Sequence, residues 1–201
     1  MTSLLRRTAA LLCLLAPAVA FAGEAGVVVR VNGVPTVQRG GKTELLKRGT
    51  AVSTGDVIET DANSKAKIVF NDDSVLAIGP KSRINVSDFA LNATGRTVRL
   101  HVLAGRFKVA IAKFLGGNTD YEIRTPTAVA GVRGTVLWGD TDLDAVCALE
   151  GSIEVRPRTG AGAPAQLSAG ECVSQMASGK TAPLKPTAEE LAAYLREVTL
   201  D

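Results

Sequence analysis

The stretch Tyr121–Thr135, YEIRTPTAVAGVRGT, decides how the rest of the chain is read. Tyr121 to Arg124 is a short strand pattern, and Thr135 to Trp138 is a second, more apolar one. Between them lie residues that constrain the backbone. Pro126 presets φ and biases Thr125 towards an extended conformation. Gly131 and Gly134 permit positive φ or close backbone approach. Arg133 stands between those glycines, where a guanidinium donates in a fixed fork to carbonyls or carboxylates gathered by a tight turn. With no second catalytic group nearby, the stretch reads first as a structural corner. Its candidate residues are Arg124, Thr125, Pro126, Gly131, Arg133, Gly134 and Thr135, with Arg133 stapling two backbone segments. The alternative reading is an anion or partner site.

Working outward, the chain is a succession of short strand patterns. Val27 to Val31 is β-branched, Asn32-Gly33 is a two-residue turn signal, and Val34 to Gln38 reads as the hairpin partner. Ala66, Ile68 and Phe70 share one face of an alternating run, and Val75 to Ile78 is apolar on both faces, as in a central strand. In Thr97 to Leu103, Val98, Leu100 and Val102 face one way while Arg99 and His101 face the other. Strands this short, with no helical pattern between them, predict an all-β domain. Alternation alone leaves sandwich, barrel and solenoid open. The tail differs. After a linker over 177–186, Thr187 and Glu190 form a capping box for a short C-terminal α-helix over 187–198. Leu191, Tyr194, Leu195 and Val198 form its apolar stripe, which packs on the β domain or docks a partner.

RTPTAVAGVRGT resembles the most distinctive motif of the FecR domain, a bacterial cell-envelope module. GDVIET (Gly55–Thr60), SKAKIVFNDDSVLAIGPKSRI (Ser64–Ile84), VRLHVLAGRFKV (Val98–Val109) and ALEGSIEV (Ala148–Val155) agree in order and spacing. The resemblance runs from about Gly26 to about Val173, within a β domain placed at 26–176. One departure is Asp72-Asp73-Ser74, where the family usually turns on Asp-Gly-Ser. The resemblance implies a β-helix-like solenoid of irregular coils, with a β-sandwich or barrel as the alternative. It also implies protein binding in envelope signalling or scaffolding. Family members in iron-uptake signalling are anti-sigma regulators with a cytoplasmic segment, a membrane helix and a periplasmic FecR domain. This chain carries the features of the exported part, so binding through exposed strand edges or loops is what carries over.

Residues 1–22 read as a signal peptide. Arg6 and Arg7 precede an apolar run over Leu11 to Val19, and Ala20-Phe21-Ala22 is a cleavage site. The expected destination is periplasmic or secreted. The full chain has 23 basic and 20 acidic side chains. Loss of Arg6 and Arg7 leaves 21 against 20, a net charge of +1, which argues against electrostatic nucleic-acid binding. No later stretch has the length of a membrane span. Cys13 leaves with the signal, and Cys147 and Cys172 remain as an even pair in an oxidising compartment, where a disulfide is expected.

The case for chemistry is poor. His101 is alone on an outward face, and no nucleophile elbow, zinc spacing or phosphate-binding glycine loop is present. No cofactor or metal is expected. Asp140, Asp142 and Asp144 have the spacing of a calcium loop, but Ala145 stands where that loop needs glycine and Gly151 where it needs glutamate. The expected function is therefore a non-catalytic interaction module with an envelope protein partner. The alternative is a binder of envelope glycan or another polymer, with Trp138 and Tyr121 as stacking platforms. Export has a direct test. Ala22→Leu is expected to block processing, because the peptidase pocket takes a small residue there. A periplasmic protein of unchanged mature mass in that variant refutes the address.

Overall fold

The computed structural model describes residues 23–158 and 162–200. The expected signal peptide and Cys13 lie outside the described residues. In chain order the strands are β1 (Glu24–Asn32), β2 (Thr36–Arg39), β3 (Lys42–Leu45), β4 (Ala51–Ser53), β5 (Val57–Glu59) and β6 (Lys65–Phe70). They continue with β7 (Val75–Ile78), β8 (Arg83–Asn92), β9 (Gly95–Ala104), β10 (Arg106–Ala110), β11 (Asn118–Arg124) and β12 (Ala128–Val132). The last are β13 (Val136–Asp140), β14 (Ala145–Glu150), β15 (Ser152–Pro157), β16 (Ala165–Ser168) and β17 (Cys172–Ser174), followed by the helix α1 (Ala188–Val198). The protein is mostly β with one short C-terminal helix. Among the described residues no helix is long and apolar enough to cross a membrane.

Two open sheets share one core. Sheet I has the order β4-β1-β6-β7-β10-β13-β14-β17, and sheet II the order β3-β2-β5-β8-β9-β11-β12-β15-β16. Apart from the edge strands β3 and β4, both orders follow the sequence. The chain lays one or two strands in one sheet and then crosses to the other. Period-two alternation makes this work, because each strand turns one face inward. Ile68, Leu76 and Val109 of sheet I thus meet Ile84, Leu100 and Ile123 of sheet II in one apolar cluster. Neighbouring strands are antiparallel except β9 and β11, which are parallel because β10 between them in sequence lies in the other sheet.

Two local expectations are corrected. Asn32-Gly33 does not close a hairpin, because β1 pairs with β4 and β6 in sheet I while β2 pairs with β3 and β5 in sheet II. The turn is a crossing between sheets, held by the Ser64 hydroxyl, which accepts from the Val34 N–H at 2.9 Å. The span read as one corner contains a strand of its own, β12, paired on both sides with β11 and β15. Asp73 takes the place of the glycine of the related turn and adopts its left-handed conformation, at φ 64°. Asp and Asn tolerate that region better than other residues with a Cβ.

The capping box at the start of α1 forms as the sequence predicts. The Glu190 N–H donates to the Thr187 hydroxyl at 3.2 Å, and the Glu190 carboxylate accepts from the Thr187 N–H at 2.8 Å. These contacts hold the Glu190 carboxyl below its ordinary pKa. The helix lies on the outer face of sheet I rather than across an end. Tyr194 stacks on Trp138 with ring centroids 4.6 Å apart and planes 7° apart, and Val198 and Leu195 pack around them. At the other end of the helix Lys65 donates to the carbonyls of Arg196 and Thr199. The segment before α1 is not wholly free, because Leu184 exchanges both backbone hydrogen bonds with Cys172.

That exchange explains the disulfide. Cys172 uses its N–H and C=O on Leu184, so its pairing with Cys147 across β14 and β17 is of the non-hydrogen-bonded kind, in which side chains approach most closely. The Cα atoms are 3.9 Å apart and the sulfurs are bonded. The bridge closes a sequence separation of 25 residues.

Among the described residues one ion pair has both side chains inside the core. Arg96 and Asp72 have side chains only 1% and 0% exposed, with Nη1 2.8 Å from Oδ2. Asp72 comes from the β6–β7 turn of sheet I and Arg96 from β9 of sheet II, so the pair ties the two sheets together. Asp72 also accepts from the Ser74 N–H and hydroxyl, and Arg96 donates to the Ala112 carbonyl at 2.7 Å. The guanidinium lies 5.5 Å from the ring centroids of both Phe114 and Tyr121. Burial, with the Asp72 charge in support, pushes the Tyr121 phenol far above its ordinary pKa.

Two measurements follow from this packing. Asp72→Asn leaves the Arg96 guanidinium buried without its counter-charge and is expected to cost about 3–5 kcal/mol in denaturant unfolding. The double variant Asp72→Asn/Arg96→Met is expected to lose less than the two single changes summed. Strict additivity removes the pair from its role. Cys172→Ser is expected to lower stability by about 3 kcal/mol. Non-reducing mass spectrometry should recover Cys147 linked to Cys172 in the parent protein, and two freely alkylated thiols would contradict the bridge.

Candidate functional site

The stretch that organises the sequence divides into a structural half and an exposed half. Thr125 and Pro126 make the turn between β11 and β12. The Thr125 N–H donates to the Ala128 carbonyl at 2.9 Å, and the Thr125 hydroxyl accepts from the Ala128 N–H at 2.9 Å. Pro126 suits the following position because it presets φ and the turn asks no donor of it. Thr127 donates to the Asp144 carboxylate, whose other oxygen accepts from the Ala177 N–H at 2.7 Å. Arg124 is exposed and pairs with Glu122 on its own strand. Thr135 is buried, and its carbonyl accepts from the Ile111 N–H at 2.8 Å.

The glycines behave differently from each other. Gly134 has φ +64°, and a Cβ there would come 3.0 Å from the Lys113 side chain. Gly131 lies within β12 in ordinary extended backbone, with open space where a Cβ would stand. Neither positive φ nor close approach explains it. Arg133 corrects the expectation most. Its side chain is exposed, and among the described residues it makes no ion pair. It does not staple the turn. It stands instead at the rim of a polar cleft of about 400 Å³, with Asn92, Thr94, Asn118 and Asp120 on the other walls.

The stapling role belongs to Arg96, which sequence reading passed over. A signal was available. Arg96 has the same parity as Val98, Leu100 and Val102, so the alternation that places those three in the core places Arg96 there too. A charge at an inward position needs a buried partner.

The remaining candidates do not converge on a reaction. His101 is half-buried, and its Nε2 has no hydrogen-bond partner among the described residues. Burial first, then the nearby Arg124 charge, pulls its pKa down, so the ring is held neutral. Asp140, Asp142 and Asp144 do not form a calcium loop. Asp140 is buried against Arg106 at 2.7 Å and accepts from the Asp142 N–H, while Asp144 turns to Thr127 and Ala177. Among the described residues no group of His, Cys, Asp and Glu is placed to hold a metal ion. Trp138 and Tyr121 are both buried, Trp138 under α1 and Tyr121 beside Arg96, so neither is a platform on which a sugar could stack.

Two solved structures share the fold. Both are of a protein from Parabacteroides distasonis provisionally described as an anti-sigma factor, at 1.65 and 2.50 Å resolution. Each is 17% identical to this chain with a TM-score of 0.53, over 69% of it. The match covers 64% and 63% of those chains, so this chain spans less than two thirds of their length. No curated protein matches the sequence significantly. The sequence profile described as FecR protein matches residues 56–156, from the buried Asp56 into β15, and so takes in the core ion pair and the whole Arg133 stretch. The chain belongs to the FecR family.

Proposed function

We propose that this protein is a non-catalytic, exported module of the bacterial envelope that binds a protein partner in signalling or scaffolding. Membership of the FecR family and the fold shared with proteins provisionally described as anti-sigma factors support a place in signalling. On this reading the two sheets are the walls of a flattened, irregular coil, a rigid body that presents its loops and edges. The observation that carries the binding role is Arg133. Seven other arginines of the domain, Arg39, Arg83, Arg96, Arg99, Arg106, Arg124 and Arg156, each face an acidic partner. Arg30, Arg48, Arg133 and Arg158 make no ion pair among the described residues, and of these Arg133 is the one that belongs to the family's most distinctive motif and faces solvent above the polar cleft. A free guanidinium with its fork of donors intact suits a carboxylate or a row of carbonyls on another protein.

Arg133→Ala is expected to keep the parent denaturation midpoint within about 0.5 kcal/mol, as an exposed substitution does. In parallel pull-downs from envelope extracts, read by mass spectrometry, the same variant should lose a partner that the parent protein retains. A lowered midpoint with an unchanged m-value, and identical captured proteins, would return Arg133 to a structural role.

A further inference from the structure

Helix α1 covers only part of the outer face of sheet I. Beside its end, Val27, Val69, Val75, Ala110 and Val136 stand opposite one another across β1, β6, β7, β10 and β13. They point away from the core, since their sequence neighbours Ile68, Leu76, Val109 and Leu137 are the ones inside it. One row over, Lys67, Ala77 and Lys108 are in register on β6, β7 and β10. Among the described residues neither lysine makes an ion pair. The neighbouring cations of this face are occupied, Lys65 by helix carbonyls and Arg106 by Asp140. Between these rows and Val198–Leu200 runs a groove of about 290 Å³, lined by both lysines, Val75 and Ala110.

The spacing identifies what fits. Lys67 and Lys108 are separated by one strand, so their Cα atoms lie two inter-strand steps apart, about 9.6 Å. Seven residues of α-helix rise about 10.5 Å. An amphipathic helix laid across the strands therefore brings carboxylates at i and i+7 over the two lysines while its apolar stripe covers the valine row. The same face already seats such a helix, since Tyr194, Leu195 and Val198 of α1 pack on Trp138 and Ala77 next to it. We propose that this groove binds an acidic amphipathic helix of a partner protein, with Lys67 and Lys108 as its charge contacts. The wall made by the end of α1 disfavours a flat lipid surface. The site extends protein binding to a second surface and does not use Arg133.

The test uses the mature chain and a labelled 18-residue helical peptide with leucines at i, i+3, i+4 and i+7 and, seven residues apart along the flank of that stripe, glutamates at i+1 and i+8. Saturable binding is expected, with amide shifts at Val75, Ala77 and Ala110 and weakening at high salt. Lys67→Glu/Lys108→Glu should reduce affinity by at least about tenfold, while Arg133→Ala leaves it unchanged. A peptide with lysines in place of the glutamates should bind the reversed variant better than the parent. Equal binding to parent and reversed protein overturns the proposal, as does no binding at all. Loss of binding in Arg133→Ala assigns the peptide to the other cleft. Lysine-dependent binding to phosphatidylglycerol vesicles without peptide binding makes the surface a membrane contact. Binding that appears only in Asp201→Asn gives the lysines to the chain's own Asp201 carboxylate. Each of these last three also overturns it.

Discussion

A charge cannot be left alone in an apolar interior, and the pair Arg96–Asp72 shows what that constraint demands of the rest of the domain. Both side chains are removed from water, so each needs the other and further hydrogen bonds as well. Asp72 finds these in its own turn, at Ser74, and Arg96 finds one in the chain that leaves β10, at Ala112. Three separate segments, from both sheets, must therefore be in place together. An apolar pair of similar volume could stabilise the core as well, but it would not dictate which turn meets which strand. The same device recurs nearer the surface. Asp56 is buried beneath a two-pronged contact from Arg39, and Asp140 beneath Arg106, each where the chain turns or changes sheets. Those hydrogen bonds raise the pKa of both arginines against the burial that opposes them.

The two sheets differ in how they meet their surroundings. Helix α1 closes part of the outer face of sheet I over Trp138 and the disulfide, and that cover, with Ala77 and the two cysteines beside it, keeps a large aromatic side chain dry although it points away from the core. Burial of this kind contributes about 1.5–3 kcal/mol for each large apolar side chain. The disulfide beneath ties β17, and through Leu184 the segment leading to α1, to the sheet that the helix covers. The helix is thus a structural layer of the domain, and its apolar stripe is spent on its own sheet.

The motif that marks the family has two jobs. Thr125 and Pro126 form a closed turn whose backbone and hydroxyl groups satisfy each other. Gly134 carries the chain from sheet II into sheet I in a conformation that a residue with a Cβ adopts at a cost. Neither task involves Arg133. A turn fixed by these contacts would present an unpaired guanidinium above the polar cleft with little backbone freedom left to lose, while the exposed side chain keeps its own rotamer freedom until it is bound.

Features set by neighbouring residues were legible in the chain. The all-β class follows from period-two runs, the helix start from Thr187 and Glu190, and the inward faces of β6 and β9 from their alternation. The cysteine pair was also legible, since only two remain after residue 22. What tertiary structure decided are the matters that depend on residues far apart. Asn32-Gly33 has the chemistry of a hairpin, yet the strand before it is claimed by β6 and the strand after it by β5 of the other sheet. Trp138 resembles an exposed platform until Tyr194, 56 residues later, stacks on it. Arg96 carries the inward parity of the β9 run and Arg133 stands in a turn with no such run, but neither pattern names a partner. Folding brings Asp72, 24 residues before Arg96, to that guanidinium in the core, whereas among the described residues no acid forms an ion pair with Arg133. Local sequence sets backbone preference and side-chain parity, but which acid meets an inward charge, and whether an outward one is paired, depends on what folding places beside it.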